Sequence, residues 1–341
     1  MTDNGTTKNE LVNATCLGGL EILKDHKLVF LATPTYDIFA DHGFGNGELV
    51  VEQNHTNNSE ESKETIISST QLVSSWSEKI RFDDEGYVVS LDLGGRRLYK
   101  GLPFEPAVFG TDSFPRLTAL NLAGTDLPLT DILAIVSHIE STIECLYLGG
   151  NALGSRGAGA IAASGLFRSE TTTTASKLVK LDLRYNDIGG AGMEAISNAL
   201  MNTTNASTNN SVQYLYLEGN NIGDEGCAAL SELLSSKSQT VQVTSSSGIQ
   251  EVYLGANTIG PAGAECIASV LRVNKTISKI YLEGNTLGAQ GATSFCNVLE
   301  ELKGDTGLKH LYVDNNNIGK ELSNRLAKAL RSDTAIEDIS S

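Results

Sequence analysis

Five tyrosines, Tyr147, Tyr216, Tyr253, Tyr281 and Tyr312, recur at one offset, each in the middle of an apolar-tyrosine-apolar triplet. In one further copy of the pattern Asp182 holds that place. Two residues upstream of the offset stand Lys180, Tyr214, Glu251, Lys279 and His310, and two residues downstream stand Arg184, Glu218, Glu283 and Asp314. The chemistry on offer is noncovalent recognition, because tyrosine supplies contact area at low entropic cost and is enriched among the residues that dominate interface energies. The interleaved acids would be unnecessary for stacking and suit a partner with a basic surface. A plainer reading stays open beside this one: tyrosine has high strand propensity, and side-by-side rings stabilise neighbouring strands.

Covalent and metal chemistry have less to stand on. The histidines, at 26, 42, 55, 138 and 310, fall in no nucleophile or metal-ligand spacing, and no P-loop, GxSxG or HExxH is present. His42 to Gly47, HGFGNG, has alternate glycines but not the spacing of a dinucleotide site, and reads as a turn. Five thiols, Cys16, Cys145, Cys227, Cys266 and Cys296, are an odd number without a CxxC pair, so neither a disulfide framework nor a zinc site is spelled out. The expectation is a chain with no catalytic residues, no metal and no cofactor.

The elements that must position the tyrosines are repeats. VQYLYLEGNNIGDEGCAAL, from Val212 to Leu230, gives a short strand, a turn and the start of a helix, and the pattern returns around Leu146, Leu181, Val252, Ile280 and Leu311. Worn copies around Leu91 and Leu120 keep the leucines but hold Arg96 and Thr125 where the others have asparagine. These eight anchors are 26 to 37 residues apart, and the longer intervals carry Ser/Thr/Asn-rich inserts before Leu178, Ser211 and Ile249. Such inserts read as exposed loops on one edge of an array.

One unit cannot bury its leucines alone, whereas stacked units share a continuous core. Alternate strand residues face opposite sides, so the tyrosine offset and its two flanking rows line the concave face of a parallel sheet with helices on the convex side. A column of asparagines, Asn151, Asn186, Asn220, Asn257, Asn285 and Asn316, stands where each strand turns, suited to pairing backbone groups of adjacent units. The α/β solenoid occupies 88–341, preceded by a non-repeating, partly disordered segment, 1–64, and an N-terminal cap, 65–87, with a helix ending near Trp76.

LxxLxLxxNxIGxxGAxxIAxxL, as these units spell it, resembles the ribonuclease-inhibitor-like class of leucine-rich repeats, found in ribonuclease inhibitor, Ran GTPase-activating protein and NOD-like receptor arrays. The resemblance covers about residues 88–341. It implies a horseshoe of about eight repeats that binds another protein, with a partner that differs between members. It also permits stimulation of a small GTPase, for which Arg96 and Arg97 are the candidates, and a purely structural repeat module is the third alternative.

Composition narrows the partner. With 25 Lys plus Arg against 41 Asp plus Glu, the formal charge of −16 argues against nucleic acid, which demands a basic footprint. No run is long and apolar enough for a membrane span, and the first residues lack the pattern of a secretory signal, so the chain reads as intracellular and cytoplasmic.

Overall fold

The computed structural model describes residues 29–30, 79–85, 87–97, 106–110, 113–167, 176–202, 212–236 and 248–331. The segment 1–64 apart from Val29–Phe30, the expected cap helix with Trp76, the three polar inserts almost entirely, and the last ten residues lie outside the described residues.

Short strands follow from the triplets. β1 (Val29–Phe30) pairs antiparallel with β4 (Arg96–Arg97) in a small separate sheet. The main sheet contains β2 (Ile80–Phe82), β3 (Val88–Asp92), β5 (Ala119–Asn121), β6 (Cys145–Tyr147), β7 (Lys180–Asp182), β8 (Tyr214–Tyr216), β9 (Glu251–Tyr253), β10 (Lys279–Tyr281) and β11 (His310–Tyr312). From β3 to β11 all neighbours are parallel, and the anchors pair Leu91 with Leu120, then Leu146, Leu181, Leu215, Val252, Ile280 and Leu311 without a slip. A one-residue slip would turn every leucine out of the core. The eight parallel strands match the repeat count, and a ninth, β2, adds antiparallel to β3 and covers what would be an open edge.

Helices occupy the return path: α1 (Leu129–Ile139), α2 (Gly154–Ala163), α3 (Gly189–Asn202), α4 (Gly223–Ser236), α5 (Pro261–Val270), α6 (Gly288–Leu302) and α7 (Lys320–Arg331). The first unit has a single 3-10 turn instead, Pro106–Phe109, whose Val108 and Phe109 are buried. In α4 the buried residues Gly226, Cys227, Leu230, Leu233 and Leu234 form one stripe at helical spacing. Gly223 has φ +62, the left-handed turn from strand to helix, and a Cβ on Gly226 would meet Ile222 Cγ2 at 2.3 Å and Gly190 Cα at 3.2 Å. Glycine is therefore what lets α3 and α4 approach. In the last unit Leu322 takes the position of that second glycine.

The asparagines join the units. Asn220 Nδ2 donates to Leu183 O at 2.9 Å and Leu217 O at 2.8 Å, while its Oδ1 accepts from the Asn186 N–H at 2.9 Å. The Asn220 N–H in turn donates to Asn257 Oδ1 at 2.9 Å, and Asn257 donates to Asn285 Oδ1 at 2.8 Å. Asn151 enters the chain through Asn186 Oδ1, and Asn316 closes it by donating to Leu282 O at 2.7 Å. Thr125 continues the column without an amide: its hydroxyl donates to Leu122 O at 2.9 Å and its N–H to Asn151 Oδ1 at 3.0 Å. Each bond satisfies a backbone group that stacking removes from water.

Candidate concave-face site

Strand alternation sends Leu215 and Leu217 into the core and Tyr214, Tyr216 and Glu218 to the other side, and the register carries this through the sheet. The tyrosines meet as a stack. Ring centroids are 4.4 Å apart for Tyr216 and Tyr253, 4.1 Å for Tyr253 and Tyr281, and 4.5 Å for Tyr281 and Tyr312. Strands lie about 4.7–4.9 Å apart, and curvature toward the concave side draws the rings slightly closer. His310 lies parallel to the Tyr312 ring at 6.2 Å.

Asp182 interrupts the ladder between Tyr147 and Tyr216, and Arg184 fills the break. Its Nη2 donates to Asp182 Oδ2 at 2.7 Å, its Nε reaches both carboxylate oxygens at 3.0 and 3.1 Å, and its guanidinium carbon stands 5.3 Å over the Tyr216 ring. Asp182 is 0% and Arg184 5% exposed. Tyr147 and Tyr216 are each 3% exposed, and burial raises both phenol pKa values above the ordinary range. These four side chains face the concave side but are covered, whereas the sequence suggests an exposed row. Stacking is the missing factor, since each ring and the guanidinium shield the next.

Farther along, Tyr253, Tyr281 and Tyr312 are only half-buried. The Tyr253 hydroxyl donates to Glu251 Oε2 at 2.7 Å, and Lys279 Nζ pairs with Glu251 Oε1 at 3.1 Å. Lys180 Nζ lies 4.9 Å over the Tyr214 ring. The upstream row is thus largely neutralised. The downstream row differs: Glu218 Oε2 has no hydrogen-bond partner and its nearest cation is Arg184 Nε at 3.8 Å. Among the described residues, no ion pair involves Glu283 or Asp314. Burial pushes the Glu218 carboxyl up to about 7 against the pull of Arg184, and burial likewise raises Glu283, with Asp314 adding to the effect.

Two features escape the sequence patterns. Tyr185 is 51% exposed at φ +54, and its ring crosses Gly219, where a Cβ would lie 2.4 Å from Tyr185 Cδ1. Asp224 caps the helix of the next unit, its Oδ1 accepting from the Gly260 and Gly263 N–H groups at 2.7 and 2.9 Å. A fixed aromatic offset finds neither, because Tyr185 sits where other units have glycine, alanine or asparagine, and the cap acts across units.

Other chemistry-bearing residues are not gathered here. His138 is exposed on α1, and His26, His42 and His55 lie outside the described residues. Cys227 and Cys296 are buried, and burial pushes the Cys227 thiol up to about 12. Among the described residues no group of three or more His, Cys, Asp or Glu could hold a metal ion. No helix among them is long and apolar enough to cross a membrane.

Comparison with known proteins agrees with this architecture. The sequence model of the family described as Leucine Rich repeat matches residues 141–162, 174–197 and 208–231, the units that carry β6, β7 and β8. These three units carry the leucine-rich repeat, and the fold around them is an α/β solenoid with a parallel sheet. No curated protein matches the chain. Among solved structures, a chain of Leiomodin-1 Actin-Binding Site 2 (ABS2) is similar over 34% of this solenoid protein and 62% of its own length, at 20% identity and a TM-score of 0.29. The match thus spans less than two thirds of that structure.

Proposed function

We propose that this solenoid is a protein-interaction scaffold, not an enzyme, whose partner seats on the concave face over β9 to β11. Leucine-rich repeats generally serve as protein-interaction modules. The observation that carries the reading is the division of the face. The row from Tyr147 to Tyr216 is sealed by its own contacts, whereas Tyr253, Tyr281 and Tyr312 keep part of each ring open between charged rows. Half-open aromatics beside polar groups are the composition of interface anchors. The spelling of the repeats favours the ribonuclease-inhibitor-like class, and the free thiols at Cys145, Cys227, Cys266 and Cys296 favour action inside the cell.

The stacking distances favour a second reading, in which the ladder only braces the sheet. A photo-crosslinking residue at position 281, compared with one at exposed position 290 on α6, separates the two. A discrete adduct from 281 alone supports the scaffold, and equal labelling from both positions counts against it. A GTPase assay on wild type and Arg96→Ala tests the stimulation alternative in the same preparations.

A further inference from the structure

Tyr185 carries a conformational cost that the fold does not recover. Two residues after the second leucine of the strand, the other described units hold Gly95, Gly124, Gly150, Gly219, Ala256, Gly284 or Asn315, every one at positive φ. Tyr185 makes the same left-handed turn at φ +54, which disfavours a bulky side chain. Its backbone is held there. The Tyr185 N–H donates to Glu218 O at 2.8 Å, Arg184 O accepts from the Gly150 N–H at 2.8 Å, and the Asn186 N–H donates to Asn220 Oδ1 at 2.9 Å. Strain that the surroundings enforce in this way collects at ligand contacts. The ring gains little burial in return: at 51% it is the more exposed of the two exposed large hydrophobics among the described residues, Val273 at 37% being the other. Gly219 seats it, because a Cβ there would stand 2.4 Å from Tyr185 Cδ1 and 2.6 Å from Cε1. Asp187 leans across the same unit boundary, its Oδ1 accepting from Asn221 Nδ2 at 2.8 Å. It is exposed, and among the described residues no cation pairs with it.

We propose that the rim at Tyr185 and Asp187 is a second contact for the partner, which places an arginine side chain on the open part of the Tyr185 ring and bonds it to Asp187. The inference rests on the scaffold reading and adds a contact outside the concave face together with the chemistry recognised there. Interface size asks for such a contact. A stable complex uses roughly 20–30 residues a side, whereas the open half of the concave face offers three positions on each of β9, β10 and β11. The partner therefore has to continue past it, and β7 lies two strands from β9, about 10 Å at the usual strand spacing. Charge complementarity selects the occupant. The face of an aromatic ring is negative, Asp187 adds a carboxylate, and the whole chain carries −16. A guanidinium suits the place better than an ammonium, because it is planar and can rest on the ring while its edge donates to the carboxylate.

The test is a titration of fluorescein-labelled octa-arginine with the full chain, read by anisotropy at physiological ionic strength, where charges more than about 8 Å apart are largely screened. Tyr185→Gly leaves the net charge unchanged and installs the residue that most other units use at this turn. It should bind about fivefold more weakly, the effect of a cation–π contact at an exposed site, while its melting temperature stays at or above that of wild type. Tyr185→Phe keeps the ring and should bind as wild type does. Gly219→Ala should weaken binding by unseating the ring, and Ala256 at φ +52 shows that alanine is accepted at this turn. Asp187→Asn should weaken it more than Glu225→Gln, which removes an exposed acid from α4. Octalysine should lose less than octa-arginine on Tyr185→Gly. Wild-type affinity in Tyr185→Gly, or a lowered melting temperature that assigns the ring to the fold, overturns the proposal. If that happens while Tyr253→Ala and Tyr281→Ala still lose the natural partner, only the rim contact is wrong and the scaffold stands.

Discussion

Asp182 and Arg184, two residues apart at the end of one strand, form a buried ion pair at the break in the tyrosine ladder, with Nη2 2.7 Å from Oδ2. The pair stands where the preceding unit has a ring and a glycine, Tyr147 and Gly149. Removing one member of a buried pair costs about 3–5 kcal/mol, whereas replacing both with well-packed groups is often neutral. Asp182→Ala should therefore lose stability on that scale in chemical denaturation, and the double variant Asp182→Tyr/Arg184→Gly should recover most of it. A single variant as stable as wild type would mean that the pair is not desolvated.

Asn220→Ala removes two amide donors from Leu183 O and Leu217 O and the acceptor for the Asn186 N–H. Each buried group left unpaired costs about 1–3 kcal/mol. The melting temperature should fall, with the concave face untouched. Asn220→Thr should fall less, because Thr125 shows that a hydroxyl can serve in this column.

Glu218 gives a pH signature. Its carboxyl is raised from 4.5 to about 7 by burial, with Arg184 opposing and Asp182 and Glu283 reinforcing the rise. Because the folded pKa lies above the unfolded one, the folded chain keeps a proton that the unfolded chain has already released. This group's contribution to stability therefore falls as pH rises from 4.5 to about 7, and stays low above that. Glu218→Gln should be more stable than wild type at pH 8, by on the order of 3 kcal/mol, and the difference should vanish near pH 4. Denaturation curves at both values check it, and a constant difference would assign the effect to something other than titration.

The strands were legible because each anchor sits in an apolar-x-apolar triplet, and Leu91 through Leu311 pair in the register that spacing implies. The asparagine positions were equally plain, since a polar residue at a fixed place after two leucines has only the strand turn to serve. Burial on the concave face was not legible. Alternation tells which side Tyr216 faces, but not that Arg184 from the next strand over will lie across it. The cap from Asp224 to Gly260 and Gly263 spans 36 and 39 residues, beyond any local capping pattern. Tyr185 at φ +54 was hidden for the opposite reason, because a bulky residue in a left-handed turn runs against local preference.

The central claim, that the open half of the concave face binds a protein partner, is tested most directly by the equilibrium affinity of the crosslinked partner, once purified, for wild type and for Tyr253→Ala and Tyr281→Ala. Circular dichroism should first establish that both variants are folded at the assay temperature. An anchor of this kind contributes 2 kcal/mol or more, so each variant should bind at least about thirtyfold more weakly. Variants that melt earlier yet bind the partner with wild-type affinity would contradict the account and leave the ladder as a brace for the sheet.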